Sequence, residues 1–358
     1  MWVGLYARHS TPRLLFLLLR PLDFQRLLSG PNARPTHSPF SVLAKLRQSL
    51  SQVGPLIGLI VICALFASLR WETFVRWDNF AIILQQTAVI GIAALGMTMV
   101  IIAGGIDLSV GSIIALGTIV LALLLQAGWP PSAAAIAAVG ACAFCGVLSG
   151  LLITKLRLLP FVVTLGMMGA LRGAAKGLAG EQPIYPDNET WLNNLMQLGE
   201  RGTLPGGVWL MLGFAVLVAA VLKFTRFGRH LFAVGSNELT ARLCGVPVER
   251  VKIYVYALGA AFAGLGAVLQ FGYLTGGDPT TAVGLELNII AAVVIGGASL
   301  SGGRGTVAGT LVGALIMSVV ANGCTKLGLA NWVQEIVTGV IIVAAVSLDA
   351  LRHRGSKD

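Results

Sequence analysis

Gly104-Gly105-Ile106-Asp107-Leu108-Ser109-Val110-Gly111 joins two apolar runs, 87–103 and 110–126, through a glycine pair, one carboxylate and one hydroxyl. A related string, Gly296-Gly297-Ala298-Ser299-Leu300-Ser301-Gly302-Gly303, returns in the second half of the chain, again with apolar runs on both sides. Paired glycine breaks in two halves of an apolar chain point to a binding site or pathway in membrane transporters. The expectation is an all-α polytopic membrane protein with glycine-interrupted spans.

Composition supports that class. Of 358 residues, 56% are hydrophobic and 11% are charged, against about 25% charged in an ordinary soluble domain. Mean hydropathy is +0.84. The formal charge of +10 is carried by the tails and a few loops, and no helix face gathers it. That distribution fits cations held on the cytoplasmic side and argues against nucleic acid as a partner. Cys142 and Cys145 form a CxxC inside an apolar run, while Cys63, Cys244 and Cys324 are scattered; core packing explains the pair better than redox or metal chemistry. The four histidines, His9, His37, His230 and His353, have no cysteine or carboxylate at ligand spacing, so no metal site is expected.

A span needs about 20 apolar residues. On that ruler the runs 52–69, 82–103, 108–127, 132–153, 161–179, 208–223, 253–274, 287–303, 305–321 and 332–350 read as about ten helices. Residues 1–50, with Arg8, Arg13, Arg20, Arg26, Arg34, Lys45 and Arg47 among five prolines, read as a basic cytoplasmic tail without fixed structure. The apolar piece 14–19 is too short to span, and no small-residue cleavage site follows it. With the tail inside, the loops carrying Lys155 and Arg157, then Lys223 to Lys252, then Arg304, and the short tail 351–358 all fall on the cytoplasmic side. The opposite loops, around Trp71-Glu72, Trp129-Pro130-Pro131, 181–207 and 278–286, are acidic or neutral with aromatic anchors. Both termini are therefore expected inside. Gly169, Gly173 and Gly177, and likewise Gly305, Gly309 and Gly313, recur at four-residue spacing, which is expected to let helix backbones approach closely in lipid.

The sequence contains no GxxxxGK[ST] phosphate loop, so energy must come from an ion gradient or a partner. Gradient-coupled carriers keep ionisable residues in mid-span as relays; here they are few: Asp107, Arg172, Lys176 and Glu335. Arg172 and Lys176 either snorkel or line a polar vestibule, and Glu335, close after Trp332, reads as an interfacial anchor. Asp107 or Ser109 is expected to cap the helix that starts beside it, accepting from unpaired amides. In the second string Ser299 and Ser301 hold the corresponding places with no charge, so capping explains both strings and a proton relay only the first.

The longest inner loop, 226–252, holds the other informative stretch. Ser236 or Asn237 can cap a short helix, Glu238 complements its positive end, Leu239 and Leu243 share a face one turn apart, and Gly245 with Pro247 ends it. A two-turn amphipathic helix flanked by cations either lies on the membrane surface or docks into a groove of a cytoplasmic partner.

Three strings, 104–112, 233–248 and 292–306, resemble the permease subunits of ribose- and galactose-type ABC sugar importers, and the resemblance covers about residues 52–350. It implies an inner-membrane permease working as two copies or two related chains, with a cytoplasmic ATP-binding subunit and an extracytoplasmic sugar-binding protein. By the same resemblance 235–247 is a coupling helix, with Gly235, Ser236, Asn237, Glu238, Leu239, Ala241, Arg242, Leu243 and Gly245 meeting the ATPase. The segments 181–207 and 275–287 would face the binding protein. Gly104, Gly105, Asp107, Ser109, Gly111, Gly296, Gly297, Ser299 and Ser301 would shape a gate beside the path. Lipid contacts the whole. No catalytic residue and no cofactor is expected. The chain departs from the pattern in its basic tail and in Cys244, where a small residue such as Ser is expected. Permeases for branched-chain amino acids, a gradient-driven carrier and a membrane-embedded enzyme rank behind this reading.

Overall fold

The computed structural model describes residues 39–354 apart from 188–189 and 199–202, with side chains placed between residues 54 and 347. Expectations for residues 1–38 and 355–358 lie outside the described residues. The chain divides between Ser49 and Leu50, and the packing below belongs to the second unit. Every regular element described is helical: α1 (Pro39–Leu69), α2 (Trp71–Phe74), α3 (Trp77–Ile102), α4 (Val110–Gln126), α5 (Pro131–Lys155), α6 (Pro160–Leu178), α7 (Trp191–Asn194), α8 (Gly206–Phe224), α9 (Arg226–Ser236), α10 (Glu238–Leu243), α11 (Val248–Leu274), α12 (Leu285–Ile295), α13 (Val307–Lys326) and α14 (Asn331–Arg354). One isolated bridge pairs Ile184 with Gly277.

The bundle is built around α3. Every residue from 87 to 102 is buried, as a helix that is apolar all round requires. Its hydroxyls are satisfied internally: Thr87 and Thr98 donate to carbonyls one turn back at 2.7 Å, and Thr98 Oγ1 also meets Thr310 Oγ1 of α13 at 2.7 Å. In lipid an unpaired hydroxyl at that depth costs several kcal/mol.

Small residues set the helix spacings. A Cβ at Gly264 of α11 would stand 2.9 Å from the Cβ of Cys142, and the Cys142 thiol faces Gly117 of α4. The CxxC is therefore a packing seam between α4, α5 and α11, and both thiols are free. Gly309 and Gly313 bring α13 against the backbone of α12, as their spacing predicts; Gly305 lies before the helix and packs on Ile102 and Ala298. The α6 stripe differs. Nothing lies within 4 Å of where a Cβ would stand at Gly169, Gly173 or Gly177, because no other described helix of this chain covers that face.

Among the described residues, five helices, α3, α5, α8, α11 and α13, are long and apolar enough to cross a membrane; Gly54–Leu69, Val110–Gln126, Leu285–Ile295 and Asn331–Ser347 are shorter apolar helices. The run 287–303 is corrected by the structure. Its helix stops at Ile295, which gives 11 residues, or about 16 Å of rise, because the glycine pair unwinds the chain before the run is over.

Candidate functional site

The first glycine break is a helix ending followed by a local turn. The amides of Gly104 and Gly105 donate to the carbonyls of Ile101 and Val100, both at 2.9 Å, with Gly104 left-handed at φ +79°. That pair of bonds closes α3 by the αL ending that glycine permits. Asp107 is 3% exposed, and its Oδ1 accepts from the Ser109 amide at 2.8 Å and the Ser109 hydroxyl at 2.5 Å. Ser109 is the N-cap residue of α4 by position, but its side chain bonds no amide of the first turn. The expected side-chain cap is thus replaced by a turn that begins two residues upstream, at Asp107. Asp107 folds the linker that aims α4, and the carboxylate's charge is met by Ser109 alone among the bonds made by Oδ1.

The second break repeats both parts. The amides of Gly297 and Ala298 donate to Val294 and Val293 at 2.9 and 3.1 Å, with Gly297 at φ +93°, and the Ser301 amide donates to Ser299 Oγ at 3.3 Å. The structural register is one residue off the sequence repeat: Gly104 corresponds to Gly297, and Ile106 is the extra residue of the first copy. No helix starts at Ser301. The following helix starts after Thr306, whose hydroxyl accepts from the Gly309 amide at 3.1 Å, so Thr306 is the cap that the sequence reading assigned to a serine of the string.

The two breaks touch. The Gly303 amide donates to the carbonyl of Ile102, the last residue of α3, at 2.8 Å. A Cβ on Gly302 would stand 3.0 Å from Gly104 Cα. The third string arrives at the same spot. A Cβ on Gly235 would fall onto the Ile102 carbonyl oxygen and stand 2.6 Å from the Gly303 amide nitrogen, and Ser236 lies against Gly303. Gly235 and Ser236 therefore do not belong to the amphipathic helix with Leu239. They end α9, a separate helix capped by Thr225, and its buried Leu231 and Val234 hold it to the bundle.

The amphipathic helix itself is α10. Asn237 Oδ1 accepts from the Thr240 amide at 2.9 Å, and the amides of Gly245 and Val246 donate to Arg242 and Ala241 around Gly245 at φ +82°. Ala241 is buried, whereas Leu239 and Leu243 are 69% and 81% exposed. Ion pairs fasten α10 from below: Glu238 with Lys252 at 2.6 Å and with Arg242 at 3.5 Å, Arg242 with Glu249 at 3.8 Å, and Glu249 with Lys155 of α5 at 3.5 Å. The Lys252 hydrogen bond is the main cause holding the Glu238 carboxyl below its ordinary value.

Arg172, left open between snorkelling and lining a vestibule, is anchored: its Nη1 donates to the carbonyls of Pro279 at 3.0 Å and Thr281 at 2.6 Å. Gly111 abuts the Glu286 carboxylate and the Ala282 carbonyl. Glu286 lay in a loop read only as facing outward, and its contact with the first string has no sequence signal, since one residue belongs to α4 and the other to α12.

A protein-family profile described as branched-chain amino acid transport system / permease component matches residues 79–346. The ribose import permease protein of Escherichia coli (strain K12) is 39% identical over 304 residues, covering 84% of this chain and 94% of that protein. The ribose import permease protein of Bacillus subtilis (strain 168) is 37% identical, covering 84% and 93%. The fructose import permease protein of Rhizobium meliloti is 32% identical over 302 residues, covering 82% and 84%. No solved structure matches the chain.

Proposed function

The chain belongs to the ribose-type sugar permeases of ABC importers, multi-pass proteins of the bacterial inner membrane and not themselves catalytic, and on that premise we propose that it is the translocation subunit of an ATP-driven importer for a monosaccharide or similar polyhydroxylated solute. Its partners in this reading are a cytoplasmic ATP-binding subunit, an extracytoplasmic sugar-binding protein reached by 181–207 and 275–287, and a second permease copy or related chain. About ten helices cross the membrane, with both termini inside.

One observation carries the reading. The outward-facing Leu239 and Leu243 lie about one and two turns of chain from Gly235, and Gly235 is the contact at which both helix breaks meet. A partner that grips the two leucines moves α10. The ion pairs to α11, which is itself tied to α5 through Glu249 and Lys155, make α10 a fastened lever, and α9 delivers the movement onto the Ile102 carbonyl and the Gly302–Gly303 turn. Both breaks are then loaded together, and α3 and α12 end in turns held by one or two hydrogen bonds each. Ties so few suit a gate with two arrangements. Gly104, Gly105, Asp107, Ser109, Gly111, Gly296, Gly297, Ser299 and Ser301 form its turns.

The test is uptake by the reconstituted complex with wild-type and hydrolysis-dead ATPase. Accumulation is expected only with the active partner. Accumulation that survives with the dead partner and follows the proton gradient overturns the reading. Leucine belongs in the solute panel, because the profile description covers branched-chain amino acid permeases.

A further inference from the structure

The geometry points to a solute-contacting site inside the permease, in the cavity between α4, α6 and the segment 275–286, where Glu286 and Ser112 take hydrogen bonds from the hydroxyls of a neutral polyhydroxylated solute. The inference rests on the transport reading above and gives it a chemical contact. The cavity measures about 290 Å³, at the lower edge of the range for small-molecule sites, about 300 Å³. Met168 and Val283 supply its apolar wall, and Ser112, Arg172, Thr280 and Glu286 its polar one.

Two oxygens in it are buried and unpartnered, Glu286 Oε2 and Ser112 Oγ. Of the seven buried unpartnered side-chain oxygens among the described residues, these two are the ones whose residues line this cavity. Thr87, Thr98, Ser149 and Ser318 return their hydroxyl protons to a carbonyl one turn back, whereas Ser112, only 1% exposed, does not. Glu286 uses Oε1 to accept from the Gly284 amide at 3.3 Å, while Oε2 rests against Gly111, which has no side chain to bond it. An unpaired carboxylate oxygen within a bundle costs several kcal/mol unless something satisfies it, and a hydroxylated solute supplies the donors both oxygens lack. The walls are held for that purpose. Arg172 is pinned by the Pro279 and Thr281 carbonyls through Nη1 alone, which leaves donors on Nη2 and Nε. Asp278 Oδ1 fixes Thr280 through its amide and hydroxyl, both at 2.7 Å.

The charge balance selects the solute class. Arg172 feels the two carboxylates Glu286 and Asp278, and Lys176 adds a second cation to the lining, so the cations and carboxylates offset and a neutral solute leaves no charge unmatched. Two or three hydrogen bonds also suit passage, which needs a site that can be left as easily as entered.

The experiment uses the complete complex in proteoliposomes, with whichever of ribose, xylose, galactose and fructose the wild type accumulates with ATP. Glu286→Gln and Ser112→Ala are each expected to cut initial uptake about tenfold through loss of a hydrogen bond to the solute. ATP hydrolysis stimulated by the binding protein, read in the same vesicles, falls far less. Uptake by both variants within twofold of wild type overturns the site. Parallel loss of hydrolysis and uptake in both variants also overturns it, because the residues then support the fold or the coupling. If wild type accumulates none of the four with ATP, the transport reading itself has failed, which is a different result from a wild type that transports and variants that transport equally.

Discussion

Glycines that look alike in the sequence have unlike roles, and substitution separates them. At Gly235 an added Cβ meets the Ile102 carbonyl and the Gly303 amide, both backbone, so nothing can rotate away. Overpacking of that kind costs about 1–3 kcal/mol or more. Gly235→Ala is expected to lower thermal stability in detergent and to abolish most uptake, because the Ile102–Gly303 hydrogen bond lies directly underneath. At Gly104 the place where a Cβ would stand is open, and the position asks only for a left-handed backbone. Gly104→Ala is therefore expected to cost about 1–2 kcal/mol and to leave a working transporter. Equal damage from the two variants, measured by thermal unfolding and uptake, counts against the convergence at Gly235. Asp107 offers a sharper contrast. An asparagine retains the Oδ1 that accepts from the Ser109 amide, so Asp107→Asn should keep most uptake with the same pH profile as wild type, while Asp107→Ala loses the turn. A steep new pH dependence in Asp107→Asn would revive the proton relay.

The elements show where sequence pattern suffices and where it stops. Asn237, Leu239, Leu243 and Gly245 are spaced as a capped, two-faced, glycine-ended helix, and the structure has that helix, because caps and i,i+4 faces are properties of neighbours along the chain. Gly235 and Ser236, read from the sequence as the start or cap of that helix, end α9 instead, since what decides their helix is the fit of Leu231 and Val234 into the bundle. Also hidden were the one-residue register shift between the two breaks, the Thr306 cap and the Glu286 contact with Gly111. The Glu286–Gly111 contact joins residues far apart in sequence, whereas the cap and the register shift are local and were masked because the matching glycine strings aligned one residue out and drew the helix start to their serines. For α10 the prediction is that Leu239→Asp leaves the permease in the membrane but uncouples ATP hydrolysis from uptake; normal uptake would rule out the docking knob. The link below α10 has its own pH signature. Glu238 is held below its ordinary value chiefly by Lys252; the stability this supplies is present above the unfolded carboxyl value, 4.5, and is lost as pH falls through the lower folded value. Amide exchange of α10 should therefore be flat with pH, after correction for intrinsic rates, from about 8 to about 5.5 and quicken only in acid. In Glu238→Gln it should be fast throughout.

At the scale of the whole molecule the open question is which side of the membrane each end of the bundle faces, and the chain carries its own probe. A gate worked through α9 and α10 requires both helices to be cytoplasmic, since only there can an ATPase reach Leu239 and Leu243. The loop charges lead one to expect them inside, whereas packing is indifferent to which way the bundle is inserted. Cys244 closes α10 and is exposed; Cys142, Cys145 and Cys324 are buried, and Cys63 is half-buried among the residues of α1 that pack on α13. A membrane-impermeant maleimide applied to the permease expressed without its partner should thus label one site. Labelling is expected in inside-out vesicles, absent in right-side-out vesicles and abolished by Cys244→Ser. The residue that departs from the family's expected small side chain is in this way the one that reports topology. Label entering Cys244 from outside would reverse the bundle, take the two leucines out of reach of ATP, and remove the ground for reading α9 as a lever on the two breaks.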